Sequence, residues 1–492
     1  MTASAAEIRV APAGFPLGTV VAACAGVALA ALGLAAVLGE PVLLMLAAIA
    51  VTAVFLLAVL AWPDVASIAV AVLVYSNAPV VAAQFHGVPY LIAALVPALL
   101  LVPILDRLVY GRQAIVFPPT LPFVLAFLLV ETLSTLVSRE PSAAAIELTR
   151  VATEGVLLYL LIINAVRTIA VIRLMTVALV ITGVVLGALS VVQQGAAPEN
   201  AFLGFAQIEG RGFDPGLGTG LQQRASGPIG EKNFYAQMLL ALIPLAAAVA
   251  GNGGRARKVA ATGAALVIGL GVVLTFSRGA AVAAVILVAA AVILRVVSWR
   301  LVLGFALAVV VVLASVPSYA ARLATLSGVG GALEVTEEVD PVIAQRANDV
   351  LAATAAFAEH PILGVGPGMF VTSYREYATR VAGLPGDLDY AAHNLYLEVA
   401  SETGVLGFMA FGGVVITTIV WLLRARREAA SDPRLVALAN GFLLVIVSYL
   451  ATGLFLHISY QRYLWMFLAL AMAAALLIRR SVETPRREAI DR

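Results

Sequence analysis

The chain has 492 residues, of which 62% are hydrophobic and 12% charged, and its mean hydropathy is +1.03. A soluble domain carries roughly 45–50% apolar and about 25% charged residues, so this composition excludes a soluble globular protein. The 30 Lys and Arg residues nearly balance the 28 Asp and Glu residues, which excludes the strongly basic surface of a nucleic-acid-binding protein.

Apolar runs long enough to cross a bilayer recur along the whole chain. Because a helix needs roughly 17–25 apolar residues to cross the hydrocarbon core, we predict about 12–14 transmembrane helices. The fourteen candidate spans are residues 17–38, 42–61, 65–81, 90–105, 121–137, 143–166, 174–192, 235–250, 259–276, 280–294, 301–316, 404–423, 435–456 and 463–478. The single cysteine, Cys24, lies in the first of them and is interpreted as a small core residue. No linker divides the chain, so the sequence predicts an all-α polytopic membrane protein with one integral membrane domain over residues 1–492.

The positions of Lys and Arg predict how the helices are oriented. From the fourth span onward, basic residues follow every second span, and such groups favour the cytoplasmic side of a membrane. The groups lie within residues 107–112, 167–173, 255–258, 295–300, 424–434 and 479–492. Both termini are therefore predicted to be cytoplasmic, and two long polar segments, residues 193–234 and 317–393, are predicted to be extracytoplasmic.

The second long segment contains two local patterns. Residues 342–358 have the pattern of a helix, and a glycine-rich stretch follows at 364–368. No strand precedes that stretch and no Lys-Ser or Lys-Thr follows it, as a phosphate-binding loop would require. We therefore interpret it as a tight turn at the membrane surface.

Among the four histidines, His393 has the most informative neighbours. Asn394 and Glu398 fall on one helical face as the chain re-enters the membrane. A polar stripe at that position either solvates the interface or serves a site at which a hydroxyl loses a proton, and we favour the second. His86 and His457 are interpreted as structural or interfacial residues.

Three arginines are candidates for binding phosphate. Arg224 precedes a span, Arg278 lies between two spans with almost no loop, and Arg346 opens the helical stretch of the second long segment. The planar guanidinium stays charged and binds two phosphate oxygens at once. Pairing with acidic loop residues is the alternative. We favour phosphate binding for Arg224 and Arg278 and leave both roles open for Arg346.

Charged residues also occur within the sixth predicted span. Glu147, Arg150 and Glu154 are spaced to share a helical face, so we predict a buried ion network that holds the bundle together, with a proton relay as the alternative. No set of His, Cys, Asp and Glu has metal-ligand spacing, so no metal site is predicted.

These pieces, taken in order, resemble the bacterial O-antigen ligase and O-antigen polymerase superfamily. The resemblance rests on residues 224–233, Ser277-Arg278-Gly279, residues 360–368, and His393-Asn394 with Glu398 and Gly404. Its best-matching stretch is 259–411, and the N-terminal half matches only in hydropathy.

The resemblance implies a metal-independent, inverting glycosyltransferase of the GT-C type, without cofactor, in the bacterial inner (cytoplasmic) membrane. Its donor would be a glycan on undecaprenyl diphosphate, its acceptor another glycan or lipid-linked glycan, and its active site would face outward among membrane lipids. By position, His393 would act on the acceptor hydroxyl with Asn394 and Glu398 in support. Arg224, Arg278 and Arg346 would hold the donor diphosphate.

The resemblance leaves the choice between ligase and polymerase open, although the high span count favours a polymerase. A transporter or flippase that uses Arg150 and Glu154 is the main rival, but it does not account for a long outer segment ending in His393-Asn394. A non-catalytic membrane scaffold would leave the outer arginines unexplained.

Overall fold

The computed structural model describes residues 53–196, 200–209, 223–251, 253–315, 341–382 and 391–490. Within them the chain is almost entirely helical, with one pair of short antiparallel strands. The first predicted span, most of the second, and Cys24 lie outside the described residues.

The described elements follow the predicted spans in chain order. The helices are α1 Asp64–Tyr75, α2 Ala78–His86, α3 Tyr90–Leu95, α4 Leu101–Val109, α5 Leu121–Val137, α6 Pro141–Arg150, α7 Leu158–Ala165, α8 Ile169–Ala196, α9 Lys232–Ala250, α10 Arg255–Leu274, α11 Arg278–Ile293, α12 Trp299–Ser315, α13 Pro341–Glu359, α14 Met369–Ala382, α15 Leu395–Glu428, α16 Pro433–Thr452 and α17 Arg462–Ile490. Shorter helical pieces are the 3₁₀ helices Val96–Leu100 and Phe202–Gly204 and the π-helix Val151–Leu157. The strands are β1 Gln207–Glu209 and β2 Arg224–Gly227.

The described helices confirm the all-α polytopic class. Seven of them are long and apolar enough to cross a membrane, or eight if α1 and α2, which meet at a 57° bend, form one span. Three further apolar helices in this part of the chain are shorter: α5, α11 and Val302–Val311 within α12. Every predicted span from 65–81 onward corresponds to a helix or to joined helical pieces.

Helix α17 lies at the centre of the described bundle. Its Trp465 is fully buried, with ring centroids 5.8 Å from Phe127 of α5 and 6.2 Å from both Tyr159 of α7 and Phe411 of α15. Gly155 allows this approach, because a Cβ there would lie 3.1 Å from the indole Nε1. Since lipid removes most of the hydrophobic drive between membrane helices, close packing of this kind carries their association.

The two ends of the described bundle differ chemically. At one end, which we call the arginine end, Arg426 donates to the Leu294 carbonyl at 2.6 Å, Arg479 donates to Glu428 at 2.8 Å, and Arg107 donates to the carbonyls that end α7. At the other, the loop end, α9, α11 and α15 begin and the loop between α16 and α17 lies. Basic groups that are far apart in sequence therefore meet at one end.

The prediction of a buried ion network in the sixth span is wrong in two respects. The charged side chains are partly exposed, and Glu154 has a different partner from the one predicted. Arg150 donates to Glu147 at 3.0 Å, as the spacing predicts, but the Arg150 side chain is 52% exposed. Glu154, 44% exposed, pairs instead with Arg462 at 3.3 Å. The cause is the π-helix Val151–Leu157, because its wider turn rotates Glu154 away from the face that an α-helix would give it.

Candidate active site

The glycine-rich stretch forms the predicted tight turn at the end of α13, a helix whose extent confirms the prediction over 342–358. Gly364, Gly366 and Gly368 have φ values of 69°, 115° and 69°, which only glycine adopts readily. A Cβ at Gly364 would lie 2.2 Å from the carbonyl carbon of Glu402. The turn therefore packs main chain against main chain on α15.

Helix α15 is broken where this turn meets it. Gly404 has φ 66° and ψ −168°, so the helical hydrogen bonds are interrupted there. The turn supplies replacements: Val365 N–H donates to the Ser401 carbonyl at 2.9 Å, and Val405 N–H donates to the Pro361 carbonyl at 2.8 Å. Broken membrane helices persist where neighbouring protein satisfies the freed backbone groups in this way.

Asn394 is the N-cap of α15. Its Oδ1 accepts from the N–H groups of Tyr396 and Leu397, each at 3.0 Å, and its Nδ2 donates to the Leu454 carbonyl at 3.2 Å. The side chain thus caps the helix and fastens it to the loop between α16 and α17, residues 453–461, which we call the α16–α17 loop. The hydrogen bonds of Asn394 go to that loop and to the helix rather than to His393.

Glu398 is buried and serves the same loop. One of its carboxylate oxygens accepts from the Ser459 N–H at 3.1 Å. The main chain adds a further bond, from Leu395 N–H to the Gly453 carbonyl at 2.7 Å. These contacts hold the α16–α17 loop against the first turns of α15.

The α16–α17 loop brings a second histidine to His393. The His457 and His393 ring centroids are 5.0 Å apart with an interplanar angle of 71°, and the His457 ring also meets Phe234 at 5.2 Å. His393 has φ 46°, a strained backbone conformation that histidine tolerates better than most residues. The sequence did not predict this contact, because His457 lies 64 positions after His393 and no local pattern links them.

Two of the sequence pieces meet at the start of α11. Ser277 is its N-cap, accepting from Ala280 N–H at 3.3 Å, and the same hydroxyl donates to Asn233 Oδ1 at 2.8 Å. Asn233 in turn donates to Glu231, the N-cap of α9, at 2.8 Å. Arg278 therefore begins α11 beside the start of α9.

Arg346 is close enough to Arg278 for their charges to interact. Burial lowers the pKa of Arg346, the charge of Arg278 lowers it further, and the carboxylates of Asp349 and Glu231 oppose both effects. The charge of Arg346 also reaches His457: burial first and Arg346 second lower the pKa of His457 to about 4. The charge of Arg346 thus interacts with Arg278 and with His457 at the loop end, where the His457 ring contacts His393.

Arg224 lies on the hairpin next to this group. It opens β2 and pairs across the strands with Glu209, whose carboxylate binds Lys232 at the start of α9. β2 packs closely on α9, since a Cβ at Gly227 would lie 2.3 Å from the Tyr235 ring. The hairpin thus joins the same α9 terminus that contacts Ser277.

No group of three or more His, Cys, Asp and Glu residues within the described ranges is arranged to hold a metal ion.

Residues 263–412 match a family model described as O-antigen ligase. The family resemblance is confirmed for this part of the chain. The O-antigen ligase segment contains Arg278, Arg346 and His393, whereas Arg224 and His457 lie outside it. No curated protein matches the chain.

Proposed function

We propose that the protein transfers a glycan from undecaprenyl diphosphate to an acceptor hydroxyl at the extracytoplasmic face of the bacterial inner membrane, as a ligase or a polymerase. One observation carries the proposal. Within the O-antigen ligase segment, the interacting charges of Arg278 and Arg346 lie at the same end of the bundle as His393 and His457.

The arginines have the properties of a diphosphate site. Arg346 Nη1 is shielded from solvent and makes no hydrogen bond to the part of the chain that the structure describes, and its salt-bridge partner Asp349 is 3.9 Å away. The charges of Arg278 and Arg346 repel each other in partly buried surroundings, and an anion with several oxygens relieves that repulsion. A guanidinium binds such oxygens two at a time. We assign Arg278 and Arg346 to the donor diphosphate, with Arg224 joining them from the adjacent hairpin.

The transfer needs two contributions from the protein. The bond from the anomeric carbon to the diphosphate oxygen breaks, and the positive charge of the arginines stabilises the departing diphosphate. The acceptor oxygen bonds to the anomeric carbon from the opposite side, which inverts the configuration, and His393 takes the hydroxyl proton. The diphosphate is already an activated leaving group, so positioning and charge stabilisation suffice.

The distribution of basic residues supports an outward-facing site. The arginine end carries residues of the kind that favour the cytoplasmic side, and the proposed site lies at the loop end. The rival transporter mechanism relied on Arg150 and Glu154. Arg150 pairs with Glu147 one turn earlier in the same helix, and Glu154 pairs with Arg462 of α17. These partly exposed ion pairs account for both residues without a role in transport.

Reconstitution tests the function directly. The protein in liposomes is given an undecaprenyl-diphosphate glycan together with a glycan or lipid-glycan acceptor outside. We expect glycan to appear on the acceptor and free undecaprenyl diphosphate to accumulate in equal amount. Movement of intact donor across the bilayer without any transfer would instead identify a flippase. The variant Arg255→Ala, an exposed change at the opposite end, controls for reconstitution.

A further inference from the structure

His457 has surroundings that packing alone does not explain. Its Nδ1 and the Nδ1 of His393 are both shielded from solvent, and neither forms a hydrogen bond with the described residues. A buried polar atom without a hydrogen-bond partner destabilises the fold, because its hydration is lost and not replaced. A phenylalanine at 457 would make the same ring contacts with Phe234 and His393 without that cost. Packing alone therefore does not explain why residue 457 is a histidine, and we look for a function of its ring nitrogens.

The position of His457 relative to His393 is held by several contacts. Asn394, Leu395 and Glu398 at the start of α15 bond to residues 454, 453 and 459 of the α16–α17 loop, on both sides of His457. Tyr396 adds a bond from its hydroxyl to the Leu450 carbonyl at 2.9 Å. The two histidines therefore stay adjacent as long as α15 and the loop remain attached.

Burial first, and the charge of Arg346 second, keep His457 neutral. Arg346 belongs to α13, and its own charge interacts with those of Arg278, Asp349 and Glu231. On the remaining elements, the loop contributes the Tyr460 hydroxyl and α15 the Glu398 carboxylate, which binds Ser459 N–H. With its pKa lowered to about 4, His457 carries a free lone pair at neutral pH.

We infer that His457 is a positioning residue for His393: a ring nitrogen of His457 accepts a hydrogen bond from the imidazolium that His393 becomes when it takes the acceptor proton. This inference rests on the proposed glycan transfer. At a centroid separation of 5.0 Å, turning the rings about their Cβ–Cγ bonds brings a nitrogen of each within hydrogen-bond reach. The N–H of neutral His393 that faces His457 leaves the other ring nitrogen to take the acceptor proton. The bond becomes stronger when the ring gains its positive charge, so it favours the transition state over the resting enzyme.

The proton and the electrons balance in this step. The acceptor O–H bond breaks and its proton moves to His393, while the acceptor oxygen bonds to the anomeric carbon. The electron pair of the anomeric carbon–oxygen bond leaves with the diphosphate. The new N–H of His393 faces the acceptor, and His457 accepts the hydrogen bond of the N–H on the opposite side of the ring until water removes the proton. His457 itself neither gains nor loses a proton.

The decisive variant is His457→Phe, which keeps the ring and removes both nitrogens. We expect kcat to fall on the order of 10- to 100-fold with little change in the donor KM, because geometry and charge at the base are disturbed but the donor site is not. The acid limb of the pH–rate profile should move to lower pH, since a less stabilised imidazolium loses its proton more readily.

The thermal stability of the His457→Phe variant should stay the same or rise. His457→Gln, which keeps a hydrogen-bond acceptor, should restore part of the rate.

His86→Phe is the matched control, because His86 is exposed at the end of α2, away from the α16–α17 loop, and its side-chain hydrogen bond to a described residue goes to the Leu203 carbonyl. Wild-type rate and pH profile in His457→Phe would overturn the inference and reduce His457 to a packing residue.

Histidine NMR separates this failure from failure of the proposed function. The chain has four histidines, so single substitutions assign their signals. A His393 titration that His457→Phe leaves unchanged overturns the inference whether or not glycan is transferred. A shift of that titration to lower pH in a protein that transfers no glycan keeps the contact and overturns the proposed function.

Discussion

Arg278 stands at the first position of α11, directly after a cap that ties this helix to α9. Its backbone is therefore fixed by two helices at once, and its charge acts on Arg346 of a third. Because this backbone is already ordered, only the side chain of Arg278 has to be ordered when it binds a diphosphate, and its planar guanidinium forms two hydrogen bonds at once.

Substitution of Arg278 should weaken the use of the donor. A hydrogen bond to a charged group contributes about 1.5–3 kcal/mol, so Arg278→Ala should lower transfer by roughly 10- to 100-fold. Arg278→Lys should recover only part of this, because lysine keeps the charge but loses the planar fork. Initial rates against donor concentration measure the effect. If Arg278→Ala transfers glycan at the rate of the Arg255→Ala control, Arg278 is structural.

His393 should determine the chemical step. A general base contributes typically 10²–10⁴-fold, so His393→Ala should lower transfer by that factor while donor binding and membrane insertion stay nearly intact. Wild-type activity should also decline as pH drops through the range in which histidine gains a proton, near 6.5 for an unperturbed side chain.

The comparison for His393→Ala is His360→Ala. His360 accepts the Gly364 N–H through its main-chain carbonyl, at 3.0 Å, and this bond survives loss of the side chain. His360→Ala should therefore have a much smaller effect, which acts through folding of the turn. Near-normal turnover by His393→Ala at saturating donor would remove His393 from the chemistry.

At the scale of elements, the break in α15 is what positions the proposed site. Residues 395–403 precede Gly404 and residues 405–428 follow it, and the turn after α13 fits into the break. Ser134 of α5 closes the arrangement from the other side, where its hydroxyl contacts the carbonyls of Leu363 and Glu402 at 2.5 and 2.8 Å. Three elements therefore depend on one glycine conformation.

Gly404→Ala should destabilise the protein strongly. Its Cβ would lie 2.2 Å from the Ile362 carbonyl carbon, and its backbone conformation, φ 66° and ψ −168°, is adopted almost only by glycine and costs an alanine roughly 1–3 kcal/mol before any clash is counted. With overpacking added, we expect a loss of at least about 2 kcal/mol. Thermal unfolding in detergent measures it. Gly412→Ala is the control in the same helix, since no neighbouring atom lies within 4 Å of its Cβ. Equal melting temperatures for the two variants would contradict the close packing at Gly404.

For the whole molecule, the separation of the two ends predicts the topology. Basic groups meet at the arginine end, and the proposed site lies at the loop end. Since Lys and Arg favour the cytoplasmic side, the loop end should face outward.

Cysteine labelling tests this orientation in a Cys24→Ala background. Thr379→Cys on α14 and Ser431→Cys between α15 and α16 replace exposed residues. A membrane-impermeant thiol reagent added to intact cells should label position 379, and position 431 should react only after permeabilisation. The reverse pattern would put the proposed site in the cytosol, where it could not meet an outward-facing acceptor.

The sequence by itself determined the properties that depend on composition and on neighbours along the chain. Hydropathy determined the class and nearly every described helix, because the cost of exposing backbone to lipid forces each apolar run into a helix. The freedom of glycine to adopt positive φ values determined the turn at 364–368, and the i, i+3 spacing on a helix determined the Glu147–Arg150 pair.

Only the tertiary structure decided which distant residues meet. The π-helix that separates Glu154 from Arg150, the bonds that Asn394 and Glu398 make to the α16–α17 loop, and the contact of His457 with His393 leave no trace in local spacing. The physical reason is that these contacts join segments tens to hundreds of residues apart. Their geometry is set by the packing of whole helices around α17, whereas sequence periodicity specifies only which face of each helix is apolar.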